Sequence, residues 1–185
     1  MMRLVSLCLV LFTVACGPGN NSNSDLLGSS HSAGFNDFDS PISASQDYPI
    51  APDPTLTPGL RCTHPDEHRY PEQIAYCERS VSKSVKDSVI RAYDDQLGFH
   101  LSEIDRGKIK VDHYIPLCMG GDNSRVNLWP QYEIVYTRTD PLEERLCQAL
   151  SRGLITQNES IEQITFAKSN LQDVGTMLQT LDGML

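Results

Sequence analysis

Lys108-Ile109-Lys110-Val111-Asp112-His113-Tyr114-Ile115 alternates polar and apolar side chains, the period of a strand with two unlike faces. Gly120-Gly121-Asp122-Asn123 follows as a turn cluster, and Asn127-Leu128-Trp129-Pro130 reads as a second, short strand ended by proline. Asp140-Pro141 then has the order of a helix start, a capping side chain before a proline in the first turn. Leu142, Leu146, Ala149 and Leu150 give that helix an apolar stripe, and Gly153 ends it. Strand, long turn, short strand and helix make a ββα unit between Lys108 and Leu150. Upstream, Val81, Val85, Val89, Ile90 and Tyr93 recur at helical spacing and predict a helix over residues 82–94. Downstream, Ile161, Ile164, Ala167, Leu171, Val174 and Leu178 predict one final amphipathic helix. The fold class expected is α+β, a ββα unit with flanking helices.

Within the unit stands Asp112-His113-(x)2-Pro116-Leu117-(x)2-Gly120-Gly121-(x)5-Asn127-Leu128-Trp129-Pro130-Gln131. This pattern resembles the HNH endonucleases, also called ββα-metal or His-Me finger nucleases, and is most similar to their exported single-domain members. Looser likeness runs through Thr57-Pro58-Gly59, Tyr76-Cys77-(x)-Arg79-(x)-Val81 and Asp140-(x)2-Glu143-(x)2-Leu146, so the resemblance spans residues 57–165.

The resemblance implies metal-dependent hydrolysis of phosphodiester bonds in DNA or RNA, with little sequence preference. Such a reaction needs a base to activate water and a cation to stabilise charge on the leaving oxygen. His113, whose side-chain type titrates near neutrality, is the expected general base. Asp112 is the expected metal ligand and Asn127 the residue that ties the long turn and orients His113. Asp112 and His113 are neighbours on a strand and point to opposite faces, so a kink or bulge is expected to bring both toward one phosphate. A single hard divalent cation, Mg2+ above others, suits few carboxylates plus a substrate phosphate. Where similar exported proteins often carry a histidine three residues before the helix aspartate, this chain has Thr137. Asp140 is the candidate second ligand, though it reads equally as a helix cap; Glu143 and Glu144 are less direct substitutes. Thr137 also supports a rival reading, a non-catalytic surface lipoprotein that keeps the finger as a binding or structural module.

The chain has 185 residues, six cysteines, one tryptophan and a formal charge of −9 from 24 acidic and 15 basic side chains. That is room for one ordinary domain and excludes a multidomain machine, a coiled coil and a polytopic membrane protein. Net acidity argues at first sight against a nucleic-acid partner. Residues 60–150, however, hold 12 basic and 15 acidic side chains, a balance of only −3. Their basic residues cluster, with Arg79, Lys83, Lys86 and Arg91 along one stretch and Arg106, Lys108 and Lys110 along another. Arg79, Lys108 and Lys110 are the candidate phosphate contacts. His64-(x)3-His68 has ligand spacing for a helix that Pro65 breaks, and Trp129 suits a core better than a stacking platform.

Residues 1–16 combine a basic start, an apolar run too short to span a bilayer and small residues before a break, the pattern of a secretory signal. Thr13-Val14-Ala15-Cys16 resembles a bacterial lipobox, which makes Cys16 the expected lipidation site and tethers the chain to a membrane at the cell envelope; the alternative is a plain signal peptide with a chance Cys and a secreted chain. Residues 17–58, rich in Asn, Ser, Asp, Gly and Pro, are expected as a disordered tether, with Phe35 and Phe38 as the alternative basis of a partner-binding arm. The domain is expected over residues 59–185. Cys62, Cys77, Cys118 and Cys147 remain in it, and an exported chain with an even count favours disulfides. Of three possible pairings, proximity and the packing of hairpin on helix favour Cys62–Cys77 and Cys118–Cys147. With no Cys-x-x-Cys, a zinc ribbon is not expected.

Overall fold

A computed structural model describes residues 42–185, over which two antiparallel hairpins and four α-helices make a mixed α+β fold. The first hairpin, β1 (Glu67–Arg69) and β2 (Ile74–Tyr76), has three residues per strand. Its alternation is too short to stand out in the sequence, and its turn places Tyr70 and Gln73 in the left-handed region. Helix α1 (Lys83–Leu97) starts where the Ser82 hydroxyl accepts the Val85 N–H at 3.3 Å. It ends at Gly98, whose positive φ lets its N–H reach the Asp94 carbonyl.

The second hairpin pairs β3 (Ile109–His113) with β4 (Leu128–Tyr132). Its register runs from Ile109 opposite Tyr132 to His113 opposite Leu128 without a break. Helix α2 (Glu133–Ser151) follows β4 directly and begins seven residues before the expected Asp140-Pro141 start. Pro141 lies inside α2 rather than opening it, at helical φ but without the N–H that would reach the Thr137 carbonyl and with its ring crowding that carbonyl. Asp140 is therefore no cap. The expected final helix is two, α3 (Gln157–Ser169) and α4 (Val174–Asp182). Between them Asn170 leaves the helical region and residues 171–173 form a 3-10 turn. The apolar period crosses the break because both helices bury their stripes with Leu142, Leu146 and Leu150 of α2.

A second core cluster joins α1 to the β3–β4 hairpin through Val89, Ile90, Tyr93, Val111 and fully buried Trp129. Ile42, Tyr48, Ile50 and Leu56 pack against it. Thr57 is buried, with hydrogen bonds to the Tyr93 hydroxyl and the Leu128 carbonyl, both at 2.9 Å. Residues 42–58 thus belong to the folded unit rather than to a tether. The expected signal, Cys16 and the arm at Phe35 and Phe38 lie outside the described residues.

Two disulfides join Cys62 to Cys77 and Cys118 to Cys147, the pairings expected. They suit an oxidising, non-cytoplasmic environment. Among the described residues no helix is long and apolar enough to cross a membrane.

Candidate functional site

His113 ends β3, and the loop after it is fixed by Asn127. The Asn127 Oδ1 accepts the N–H of Ile115 at 2.9 Å and that of Leu60 at 3.3 Å, while Nδ2 donates to the carbonyls of Ile115 and Asp122. A fully buried amide with four partners sets the loop from Tyr114 to Asp122. Gly121 lies so close to the Ile115 carbonyl that a Cβ there has no room. Gly120 takes φ +82° with the Ala75 carbonyl behind it. These two contacts explain the Gly-Gly pair of the motif.

The His113 side chain is only 3% exposed. Its Nε2 lies 3.1 Å from Asn123 Oδ1, and the orientation of that amide is fixed by backbone on both sides. Asn123 Nδ2 donates to the Glu78 carbonyl at 2.7 Å, and its Oδ1 accepts the Ser80 N–H at 3.1 Å. An amide oxygen cannot donate, so the network places a proton on His113 Nε2. Nδ1 is the nitrogen left to take a proton, and it lies 3.8 Å from Asp112 Oδ1. Residues 78–80 form a strap beside the imidazole. From the strap, Arg79 brings a guanidinium nitrogen to 3.7 Å from Asp112 Oδ1.

No bulge interrupts the hairpin, so alternation holds: Lys110 and Asp112 share one face of β3, turned toward α2, and His113 leaves from the other at the strand end. Lys110 Nζ sits 2.9 Å from Asp112 Oδ2 and 2.8 and 2.9 Å from the two Asp140 oxygens. The pair expected to share a metal ion thus shares an ammonium. Lys110, expected to face nucleic acid, is committed to this triad, whereas Arg79 and Lys108 are exposed. Burial alone would push the Asp112 carboxyl up. The His113 ring, when it also carries a proton on Nδ1, and the Lys168 and Lys110 ammonium groups outweigh it and hold that carboxyl far below the usual carboxylate range. Lys110 is held firmly charged: burial opposes this, but Asp112 and Asp140 raise its pKa.

One participant carries no sequence signal. Lys168 of α3 is fully buried and donates to the His113 carbonyl at 2.7 Å, the Tyr114 carbonyl at 3.3 Å and Glu143 at 3.2 Å. A lysine on an amphipathic helix reads as surface, and only the tertiary fold shows what it reaches. Burial raises the Glu143 carboxyl against the pull of Lys168. Thr137 donates to the Glu133 carbonyl within α2, and Glu144 is exposed. His64 and His68 share no helix, since His68 lies in β1.

The donor set is unlike that of a ready divalent site. Asp112 and Asp140 offer hard oxygens that converge, but the point of convergence holds the Lys110 ammonium, and the Asn127 amide is saturated by backbone. As arranged, these residues do not fit the expected ion. Among the described residues no group of three His, Cys, Asp or Glu side chains is placed to hold a metal. No protein-family model, curated protein or solved structure matches the chain.

Proposed function

We propose that the chain is an exported HNH-type endonuclease that hydrolyses phosphodiester bonds of DNA or RNA, held at the cell envelope through a lipid on Cys16. The observation that carries this reading is the state of His113: Nε2 committed to Asn123, and Nδ1 left as acceptor beside a carboxylate held ionised. In this reading water reaches Nδ1 from the side of Asp112 and Arg79, with the Asn123 network left in place. The imidazole takes the water proton as the oxygen attacks phosphorus, the ester P–O bond breaks, the leaving oxygen takes a proton from bulk water, and the imidazolium returns its extra proton to solvent. Asp112 stabilises the imidazolium that forms. Asn127 holds the loop that fixes the ring, and Arg79 with Lys108 meets the backbone phosphates. The fold and the ββα order are consistent with a His-Me finger. The expected Mg2+ reaches Asp112 and Asp140 in this scheme only if Lys110 withdraws.

The test is nicking of supercoiled plasmid and of a labelled RNA by the purified chain, with added Mg2+ and with chelator. Wild type should cut and His113→Ala should not. Equal inertness of both under all conditions rejects the enzyme.

The slight exposure of His113 favours a second reading, a non-catalytic surface module in which the histidine is a structural donor to Asn123. In that case His113→Gln, which preserves a donor, leaves every measurable binding property unchanged.

A further inference from the structure

We propose that the Lys110 ammonium is the resident cation of the Asp112–Asp140 pair, standing where the resemblance would put a divalent ion. Only its catalytic consequence rests on the endonuclease reading.

The position is built in. Lys110 and Asp112 are two residues apart on one strand, so alternation places them on the same face, and α2 supplies Asp140 across from them. One nitrogen lies 2.8–2.9 Å from three carboxylate oxygens, with hydrogen bonds to both Asp140 oxygens and an ion pair to Asp112 Oδ2. The charge count agrees. Asp112, Asp140 and Glu143 are met by Lys110, Lys168 and Arg79, three carboxylates against three cations. A divalent ion joined to that set would leave two positive charges uncompensated in a partly buried space, a costly arrangement unless Lys110 left it. The acceptor is real as well: Asp112 is 4% exposed, and among the described residues its Oδ2 has the Lys110 ion pair but no well-directed hydrogen bond. Opposite Lys110 on β4, the Gln131 amide is also buried without a hydrogen-bond partner there. Removing the ammonium would expose a buried, ionised oxygen of the kind a hard cation seeks.

In consequence the site needs no divalent ion to hold Asp112 and Asp140 together, and any hydrolysis by this chain persists in chelator. The experiment titrates the full chain with Mn2+, reading the free ion by its paramagnetic resonance, for wild type, Lys110→Ala, Lys110→Gln and Lys110→Ala/Asp112→Asn. Wild type should leave millimolar Mn2+ free. Vacating the ammonium should create one site at least about tenfold tighter, and the added Asp112→Asn should abolish it. Lys110→Gln removes the charge but fills most of the space with a neutral side chain one atom shorter, so it gives the same answer if the alanine variant does not fold. Tight Mn2+ binding by wild type that Asp112→Asn removes overturns the proposal. So does the absence of any gain in a folded Lys110 variant. A wild type inert toward nucleic acid would sink the endonuclease reading alone, because the ion titration judges Lys110 without reference to cleavage.

Discussion

Lys168 Nζ, with no exposed surface, donates to the carbonyl oxygen of His113 at 2.7 Å. Through this contact α3 grips the last residue of β3, and the ammonium that does so also lowers the Asp112 carboxyl. A single side chain from outside the hairpin thus steadies both the backbone of the candidate base and the charge of its neighbour.

Lys168→Met should cost about 3–5 kcal/mol, the range for removing one partner of a buried ion pair, because Glu143 and two carbonyls lose their donor together. Glu143→Gln should cost less, since Lys168 keeps both carbonyls. Urea midpoints of the two variants test the order, and a Lys168→Met loss below about 1 kcal/mol would deny the lysine this role.

Asp112 governs the acid limb of stability. Its folded carboxyl lies below its unfolded value, so its contribution is present above the ordinary carboxylate range and is lost as pH falls into and beneath it. Glu143 has the opposite sign: its raised value gives a contribution present below the ordinary range and lost as pH rises through the folded value. The gap in melting temperature between wild type and Asp112→Asn should therefore be widest near neutrality and close in acid. Glu143→Gln, measured alone, should steepen the fall in stability toward acid.

Asn127→Ala strips partners from two N–H groups and two carbonyls in the loop after His113. At about 1–3 kcal/mol for a buried group left unsatisfied, a total loss above about 2 kcal/mol is expected by thermal unfolding. Nicking, if present, should fall with it even where the variant stays folded. Asn127→Asp should not rescue, because a carboxylate has no proton for the Ile115 and Asp122 carbonyls.

The paired substitution Cys118→Ser/Cys147→Ser should lower stability by about 2–4 kcal/mol. A reductant titration should then show one remaining thiol-sensitive transition, from Cys62–Cys77, in place of two.

Legibility in the sequence followed locality. The β3–β4 hairpin could be read because alternation and a Gly-Gly turn are local signals, and the disulfides because few cysteines remained to pair. The start of α2 could not, since Pro141 imitates a helix entrance and only the packing of residues 133–139 behind β4 shows that the helix is already running. The break at Asn170 was hidden because the apolar period continues across it. Asp112, His113 and Asn127 were singled out from the motif, and the structure assembles them in one neighbourhood. The sequence sends Lys110 outward to phosphate, whereas the fold turns it inward to carboxylates, since strand alternation gives the face but not what packs against it. Asn123 and Lys168 carried no signal: each acts across a long stretch of chain, on Glu78 and Ser80 or on His113.

One crosslink ends in the loop after His113 and the other lies against it. Cys118 lies within it, and Cys62 donates its backbone N–H to the Gly120 carbonyl while its sulfur partner, Cys77, immediately precedes the strap over the imidazole. While both thiol pairs are reduced, neither clasp exists, and only the hydrogen bonds of Asn127 and Asn123 keep loop and strap beside the histidine. A newly made polypeptide in a reducing compartment would hold its centre less firmly than the same chain after oxidation.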